Sequence, residues 1–332
     1  MKTLKLGTTG PAVSAIGLGC MGMSQDWYGP SDRAESLATF QAAVDAGVTL
    51  IDTGDLYGMG HNEMLIGEAL KSVDRDKVVL SVKTGALRDP AGAFLGHDSR
   101  PTALKTFLAY SLKRLQVDYI DVYRPARLDP AVPIEESIGA LAEMVQAGYI
   151  RHIGLSEVGA DTLRRAAAVH PIVDLQIEYA IITRGIEDRI LPTCRELGIG
   201  VTAYGVLSRG LISGHWSKDR GAAGHDLRSH NPRFQGDNLD HNLALVEALR
   251  TIARTRGVTV AQLAIAWVAQ RGDDIVPLIG ARRRDRLSEA LGAMEVTLTA
   301  EDLAAIEAAA PRGAAAGERY PAAALRFMDS ER

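Results

Sequence analysis

The stretch LIDTGDLYGMGHNE, residues 50–63, sets a carboxylate and a phenol at the end of an apolar run. Asp52 stops the run, and Tyr57 follows five residues later in a glycine-rich segment. A second apolar run, VVLSVK, ends on Lys83. If the three side chains meet, they form a proton-transfer set. A free tyrosine titrates near about 10 and a lysine near about 10.4. An ammonium beside a phenol favours the phenolate and lowers the tyrosine pKa. Asp52 would hold Lys83 charged and oriented, leaving Tyr57 tuned to give or take a proton near neutral pH. The plainer alternative is a structural ion pair beside a surface tyrosine.

Such a set requires strand ends that converge. TLKLGTTGPAVSAIGLG opens as two short strands around a Gly-Pro turn. β-rich runs then alternate with helical ones: AIGLGC, VTLID, VVLSVK, DYIDVY, RHIGLS, VDLQIE, GVTAYG and DIVPLIG, eight in all. In RPTALKTFLAYSLKRLQ, Leu104, Phe107, Leu108, Leu112 and Leu115 recur at helical spacing. In SDRAESLATFQAAVDAG, Ser31 is the expected cap, Asp32 and Glu35 suit the helix N-terminus, and Gly47 ends the helix. TVAQ (259–262) and TAED (299–302) read as capping boxes. Strands alternating with helices imply a parallel sheet, either open and doubly wound or closed into a barrel. No linker or composition shift divides the 332 residues. That favours one α/β domain over residues 1–332, an (α/β)8 TIM barrel with an N-terminal β-hairpin. Active sites of such barrels lie at the C-terminal strand ends, where Asp52, Tyr57 and Lys83 fall. Residues 208–238 form a long polar loop of the kind that carries function. The Ala-rich residues 308–332 are expected to form a tail on the surface.

Other readings are narrower. GLGCMG places Gly17, Gly19 and Gly22 as G-x-G-x-x-G after a strand, which invites a Rossmann dehydrogenase. That fingerprint needs a helix opening on the last glycine, and MSQDWYGPSD reads as loop. ARRRDR gathers Arg282, Arg283, Arg284 and Arg286 past a strand end. Guanidinium groups there suit a 2′-phosphate, pointing to NADP over NAD; the alternative is a solvated helix start. His215, His225, His230 and His241 are irregularly spaced in or beside the long loop, so no metal site is expected. A net charge of −4 argues against nucleic acid. No apolar run reaches the roughly 18 residues of a membrane span. MKTLKLGTTG has no signal-peptide core, and Cys20 and Cys194 form no framework, which suits the cytoplasm.

At the level of motifs, DTGDLYGMGHNE resembles the aldo-keto reductase signature D-T-A-x-x-Y-G-x-G-x-x-E, with Gly54 in place of alanine. VKTG resembles that family's lysine strand, and IRHIGLSE, QIEY, AYGVLSRGLISG and PLIGARRRDRLSEAL resemble its later blocks in order. The resemblance covers residues 2–310, and VPIEESIGALAEMVQAGYIRHIGLSE is similar to the bacterial branch near the potassium-channel β-subunits. It implies a barrel with a hairpin across its bottom and NADPH bound extended, without a Rossmann fold. It implies Tyr57 as general acid, Lys83 as its pKa-lowering partner and Asp52 as support for Lys83. Ser156 and Gln176 would hold the nicotinamide carboxamide, with Glu157 standing where asparagine is common. Tyr204 would stack on the nicotinamide, and Leu207, Ser208, Arg209 and Gly210 would wrap the pyrophosphate. Gly280, Arg282, Arg286 and Glu289 complete the expected cofactor set, with Ala290 at a position where asparagine is common.

YRPARLD departs from the family block Y-x-x-H-R-x-D by placing Ala126 where a catalytic histidine stands. Losing one such donor costs about 2.7–4 kcal/mol of transition-state stabilisation. Arg124 and Arg127 are the nearest replacements in sequence. Trp27, Tyr28, Arg124, Ala126, Trp216 and Phe234 are candidate walls of the substrate pocket. The expected activity is reduction of a small-molecule carbonyl by NADPH, or the reverse oxidation of an alcohol. The alternative is a nucleotide-sensing regulatory subunit on the same fold with weak turnover. A homo-oligomer is allowed, and the substrate is not legible.

Overall fold

In the computed structural model, which describes residues 1–24, 27–218, 226–325 and 327–331, the β-rich runs close into a barrel of eight parallel strands. The chain opens with an antiparallel hairpin, β1 (Thr3–Lys5) and β2 (Ala12–Ser14). The barrel begins with β3 (Gly17–Gly19), β4 (Leu50–Gly54) and β5 (Val79–Thr84). A second hairpin, β6 (Ala86–Arg88) and β7 (Phe94–His97), projects after β5. The barrel is completed by β8 (Ile120–Pro125), β9 (Ile150–Ser156), β10 (Ile172–Glu178), β11 (Gly200–Tyr204) and β12 (Ile275–Gly280), which pairs back onto β3. The β6–β7 hairpin was not among the expected strands. ALRDPAGAFLGH shows no alternation of apolar and polar residues, and Phe94 and Leu95 are exposed.

GLGCMG does not open a Rossmann helix. After β3 the chain makes a short 3-10 turn at Met21–Met23, and the sheet closes instead of staying open. The first long helix is α1 (Arg33–Asp45), and its cap is Asp32 rather than Ser31: the Asp32 carboxylate accepts the Glu35 amide at 2.7 Å. Next come α2 (His61–Leu70), α3 (Pro101–Leu115), α4 (Ile134–Gln146), α5 (Ala160–Ala167) and α6 (Ile190–Leu197). Then follow α7 (Gly236–Thr255), α8 (Val260–Ala269), α9 (Arg284–Gly292), α10 (Ala300–Ala309) and the short α11 (Ala322–Leu325). Thr259 with Gln262 and Thr299 with Asp302 form the two expected capping boxes.

The barrel interior is layered. At the bottom, Leu4, Leu6 and Val13 of the hairpin region pack on Leu50, Val122, Val173 and Val276. Those four come from alternate strands β4, β8, β10 and β12, as a barrel layer requires. Above this plug the next layer is polar. Arg124, fully buried, pairs with Asp174 at 2.9 Å, and Thr202 donates to Asp174 at 2.5 Å. Gly154 makes the room: a Cβ there would lie 2.4 Å from Asp174 Oδ1 and 2.8 Å from Arg124 Nε.

The chain beyond α10 corrects the expectation of a surface tail. Arg319 and Met328 are buried, and this segment crosses the mouth of the barrel.

Outside the barrel, α2 and α3 touch backbone to backbone at Gly67. A Cβ there would sit 2.6 Å from the Leu115 carbonyl and 2.8 Å from that of Arg114. Gly67→Ala is expected to destabilise the protein by about 1–3 kcal/mol, the usual range for overpacking. The measurement is a denaturant midpoint at unchanged m-value. A midpoint equal to wild type would show that the two helices do not depend on this close approach.

Candidate active site

Parallel register brings the functional side chains to one level. Asp52 sits opposite Ser81 and Gly54 opposite Lys83 across β4–β5, and Gln176 sits opposite Ser156 across β9–β10. Asp52 is not the strand end that the apolar run suggested, because β4 continues to Gly54. Its carboxylate is buried inside the barrel and accepts from Ser81 Oγ at 2.7 Å, Gln176 Nε2 at 2.7 Å and Lys83 Nζ. The Arg124 guanidinium stands 3.8 Å away.

Tyr57 is placed by the turn that follows it. Gly58, Met59 and Gly60 take successive left-handed conformations with φ of 61°, 51° and 94°, which double the chain back into α2. Asn62 pins this turn by donating to the Cys20 carbonyl and Ser24 hydroxyl, both at 2.9 Å, while accepting from Thr53 at 2.6 Å. Tyr57 is buried, with Lys83 Nζ 5.1 Å from its ring centroid and Trp27 packed edge-on at 5.9 Å. The three sequence-predicted residues therefore do meet.

Their electrostatics differ from expectation. Burial pushes the Tyr57 phenol well above its ordinary value, Asp52 raises it further, and Arg127 is the principal opposing charge. Burial lowers the Lys83 ammonium, with Asp52 pulling it back up. The predicted lowering of the phenol is not what the site produces. The Lys83 charge is matched by Asp52, and the phenol has lost its water. Tyr57 is thus a protonated donor. A neighbour that the sequence did not flag, Asp55, accepts from Thr84 at 2.6 Å and from the Gly85 amide at 3.1 Å; burial lifts its carboxyl to about 6.

The triad forms the floor of a cavity of about 1340 Å³. Ser156, Gln176, Tyr204, Leu207, Arg209, Gly210, Gly280, Arg282, Arg286, Glu289 and Ala290 all line it. Ser208 and Arg209 take left-handed φ of 46° and 59° and Gly210 follows at 90°, a strained run of the sort found at functional sites. Ser208 does not line the cavity, but its Oγ is buried without a hydrogen-bond partner among the described residues.

The arginines divide. Arg286 reaches Glu289 at 3.0 Å and His215 at 2.5 Å. Arg282 donates to the Tyr28 carbonyl at 2.9 Å and to that of Gly29, clasping the loop after β3 across the cavity. Arg284 leaves the site for Glu35 on α1. Of the histidines near the long loop, His230 lines the cavity, His241 bonds the Ala314 carbonyl at 2.7 Å, and His225 lies outside the described residues.

Several residue assignments change. Glu157 does not line the cavity; its carboxylate anchors the C-terminal segment. It accepts from Arg319 Nη2 at 2.5 Å, Ser330 Oγ at 2.6 Å, Tyr204 Oη at 2.6 Å and the Glu178 amide at 3.0 Å. Tyr320 then contacts Tyr204 through the two hydroxyls at 2.9 Å, and Arg209 lies 4.2 Å from its ring centroid. The substrate side changes as well. Trp27, Tyr28 and Ala126 line the cavity, whereas Arg124 lies inside the barrel and Trp216 packs with Phe234 at 5.1 Å in the core. Arg88, Phe94, His97, Arg127, Tyr320 and Phe327 take their places. The adjacency of Arg127 to Ala126 was its signal in sequence; the others gave none.

Comparison with known proteins agrees with this geometry. The profile of the Aldo/keto reductase family matches residues 15–311. The probable aldo-keto reductase 1 of Glycine max is 40% identical over 320 residues, covering 96% of this chain and 92% of the relative. A glycerol dehydrogenase of Gluconobacter oxydans superposes with a TM-score of 0.84 at 30% identity, over 92% of this chain and 94% of its own. An aldo-keto reductase of Bacillus halodurans in its holo form gives 0.77 at 29% identity, over 93% and 96%.

The Glu157 anchor predicts a pH response. Burial alone would raise its carboxyl, but the charge and hydrogen bonds of Arg319, with Arg127, outweigh burial and bring it to about 2. A depressed carboxylate stabilises the fold above its unfolded pKa and loses that contribution as pH falls through the folded value. Stability should therefore decline as pH drops from about 4.5 toward 2. Glu157→Gln should flatten that part of the curve in a pH series of thermal melts. An unchanged slope would place the acid sensitivity elsewhere.

Proposed function

The chain belongs to the aldo/keto reductase family, and from that premise we propose that it is an NADPH-dependent reductase of aldehydes or ketones, able to run in reverse on alcohols. One observation carries the reading: a protonated, buried phenol beside a buried lysine–aspartate pair, on the floor of a cavity roomy enough for a dinucleotide and a second molecule.

The residues present suit the nucleotide. Ser156 and Gln176, side by side on β9 and β10, match the carboxamide, and Tyr204 offers a ring. The left-handed run of Ser208 to Gly210, with Leu207, Arg209 and Gly210 lining the cavity, suits a pyrophosphate. Arg286 suits a 2′-phosphate, and Arg283 lines the same end. When bound, the reduced nicotinamide supplies the hydride that reaches the carbonyl carbon. The protein supplies the proton: Tyr57 Oη donates it to the carbonyl oxygen, and burial keeps it on the phenol until the oxygen becomes basic. Lys83 then sits where it can stabilise the phenolate left behind, and Asp52 keeps that ammonium charged.

A second reading rests on Ala126, which lines the cavity but has no side-chain donor: a nucleotide sensor with weak turnover. Single-turnover oxidation of bound NADPH with negligible steady-state turnover on every aldehyde would support it; sustained multiple turnover with excess NADPH excludes it.

Tyr57→Phe should lower carbonyl reduction about 10²- to 10⁴-fold, the range for a positioned acid, while NADPH still binds. Near-wild-type turnover in that variant would remove Tyr57 from the chemistry. Arg286→Ala should weaken NADPH by about 1.5 kcal/mol, the low end for a charged hydrogen bond because the side chain is partly solvated, with little change for NADH. Equal weakening of both nucleotides would show that Arg286 does not read the 2′-phosphate.

A further inference from the structure

The cavity is strongly positive, and its cations are not all placed along the nucleotide strip. The whole chain has a net charge of −4, yet eight Lys and Arg side chains line the cavity against four Asp and Glu. Each of those acids already has a cation: Asp52 has Lys83, Glu178 has Arg209 and Arg319, Asp226 has Arg228, and Glu289 has Arg286. Arg209 and the arginines after β12 lie along the nucleotide strip. Arg88, 5.7 Å over the Trp27 ring, and Arg127, whose charge acts on Tyr57, remain.

Arg127 has no ion-pair partner among the described residues. Its Nη1 donates to the Ala126 carbonyl at 2.5 Å and reaches Ser156 Oγ only at 3.5 Å; Nε and Nη2 have no partner there. The nearby wall is aromatic. Phe94, His97 and Phe327 pack edge to face, with ring centroids 5.1–6.0 Å apart. His97 adds no competing charge at neutral pH, because burial and the Arg127 charge hold its imidazole down to about 4. Its Nδ1 and Arg88 Nε are both buried without hydrogen-bond partners among the described residues. The half-buried Arg127 guanidinium thus offers unpaired N–H groups to the cavity, and its planar fork matches a carboxylate.

We propose that Arg127 anchors a carboxylate on the substrate, so that the preferred substrates are oxo-acids and carboxylated aromatic aldehydes whose carbonyl end lies at Tyr57. The carbonyl half of this assignment rests on the reductase reading above; the anion site does not.

The test has two arms. Equilibrium binding of benzoate and of benzamide is measured for wild type and Arg127→Met in the presence of NADP. Wild type should bind benzoate at least about 10-fold more tightly than benzamide, and the variant should lose that preference. In the second arm, kcat/KM with NADPH is compared for 4-carboxybenzaldehyde against 4-methylbenzaldehyde, and for 4-oxobutanoate against butanal. The carboxylate-to-neutral ratio should fall about 10- to 100-fold in the variant, mainly through KM, and Arg127→Lys should recover part of it. No benzoate preference in wild type, or a preference the variant keeps, overturns the proposal. So does a parallel fall on charged and neutral aldehydes, which would put the guanidinium on the carbonyl oxygen. Benzoate bound through Arg127 with no turnover of any aldehyde sustains the anion site and overturns the reductase reading instead.

Discussion

The structure is organised around one buried ion pair, Lys83 with Asp52. Two charges inside a barrel are tolerated only when further hydrogen bonds satisfy them. Asp52 on β4 takes a hydroxyl and an ammonium from β5 and an amide from β10. Arg124 on β8 approaches from below while held by Asp174. A shift of register between any of these strands would leave a charge stranded. The apolar plug beneath contributes by keeping water from the lower end. Gly154 contributes by leaving space for the Arg124–Asp174 pair.

That constraint explains the state of Tyr57. A lysine free of its carboxylate would draw the phenol toward ionisation. A lysine neutralised by Asp52 leaves burial as the dominant effect, and the proton stays on. Under the proposed reaction, that protonated phenol is the form that carbonyl reduction needs. Running backward requires a phenolate, so an alcohol substrate asks more of the protein than an aldehyde does. Backbone strain gathers at the two turns flanking the cavity, Gly58–Gly60 and Ser208–Gly210. Both aim groups that no regular element would present.

What the sequence disclosed follows from what is local. The eight strands, the capping boxes and the Asp52–Tyr57–Lys83 set all rest on short-range patterns or on motifs. Strand parity also held a clue that the motif reading passed over. Val122 lies in the bottom plug, and Arg124, two residues on along β8, faces the same interior. Arg127 lies past the strand end, where a side chain is free to turn into the mouth. Ser31 and Asp32 were not separable by composition, because both residue types cap helices well. Glu157 was out of reach for another reason. Its partner Arg319 lies 162 residues downstream, in a segment whose Ala-rich composition suggested a surface tail. Carrying a cofactor contact onto that position assumed a side chain free to make it.

The tail changes how the site is assembled. Glu157 Oε1 receives both the Tyr204 hydroxyl and the Arg319 guanidinium, so the ring expected beneath the nicotinamide is oriented by the last residues of the chain. Tyr320 joins the same network and lies under Arg209, on the strip assigned to the pyrophosphate. Phe327 and Met328 then complete the wall that faces Arg127 and Tyr57. One buried ion pair therefore couples the nucleotide strip to the substrate wall. Exchanging asparagine for glutamate at a left-handed position (φ of 54° at Glu157) supplies the charge that makes that coupling possible. With Glu157 so occupied, Ser156 and Gln176 are the side chains of that neighbourhood that line the cavity. Glu157 is committed to contacts within the chain, and the cavity wall formed by Tyr320, Phe327 and Met328 is tied to that commitment.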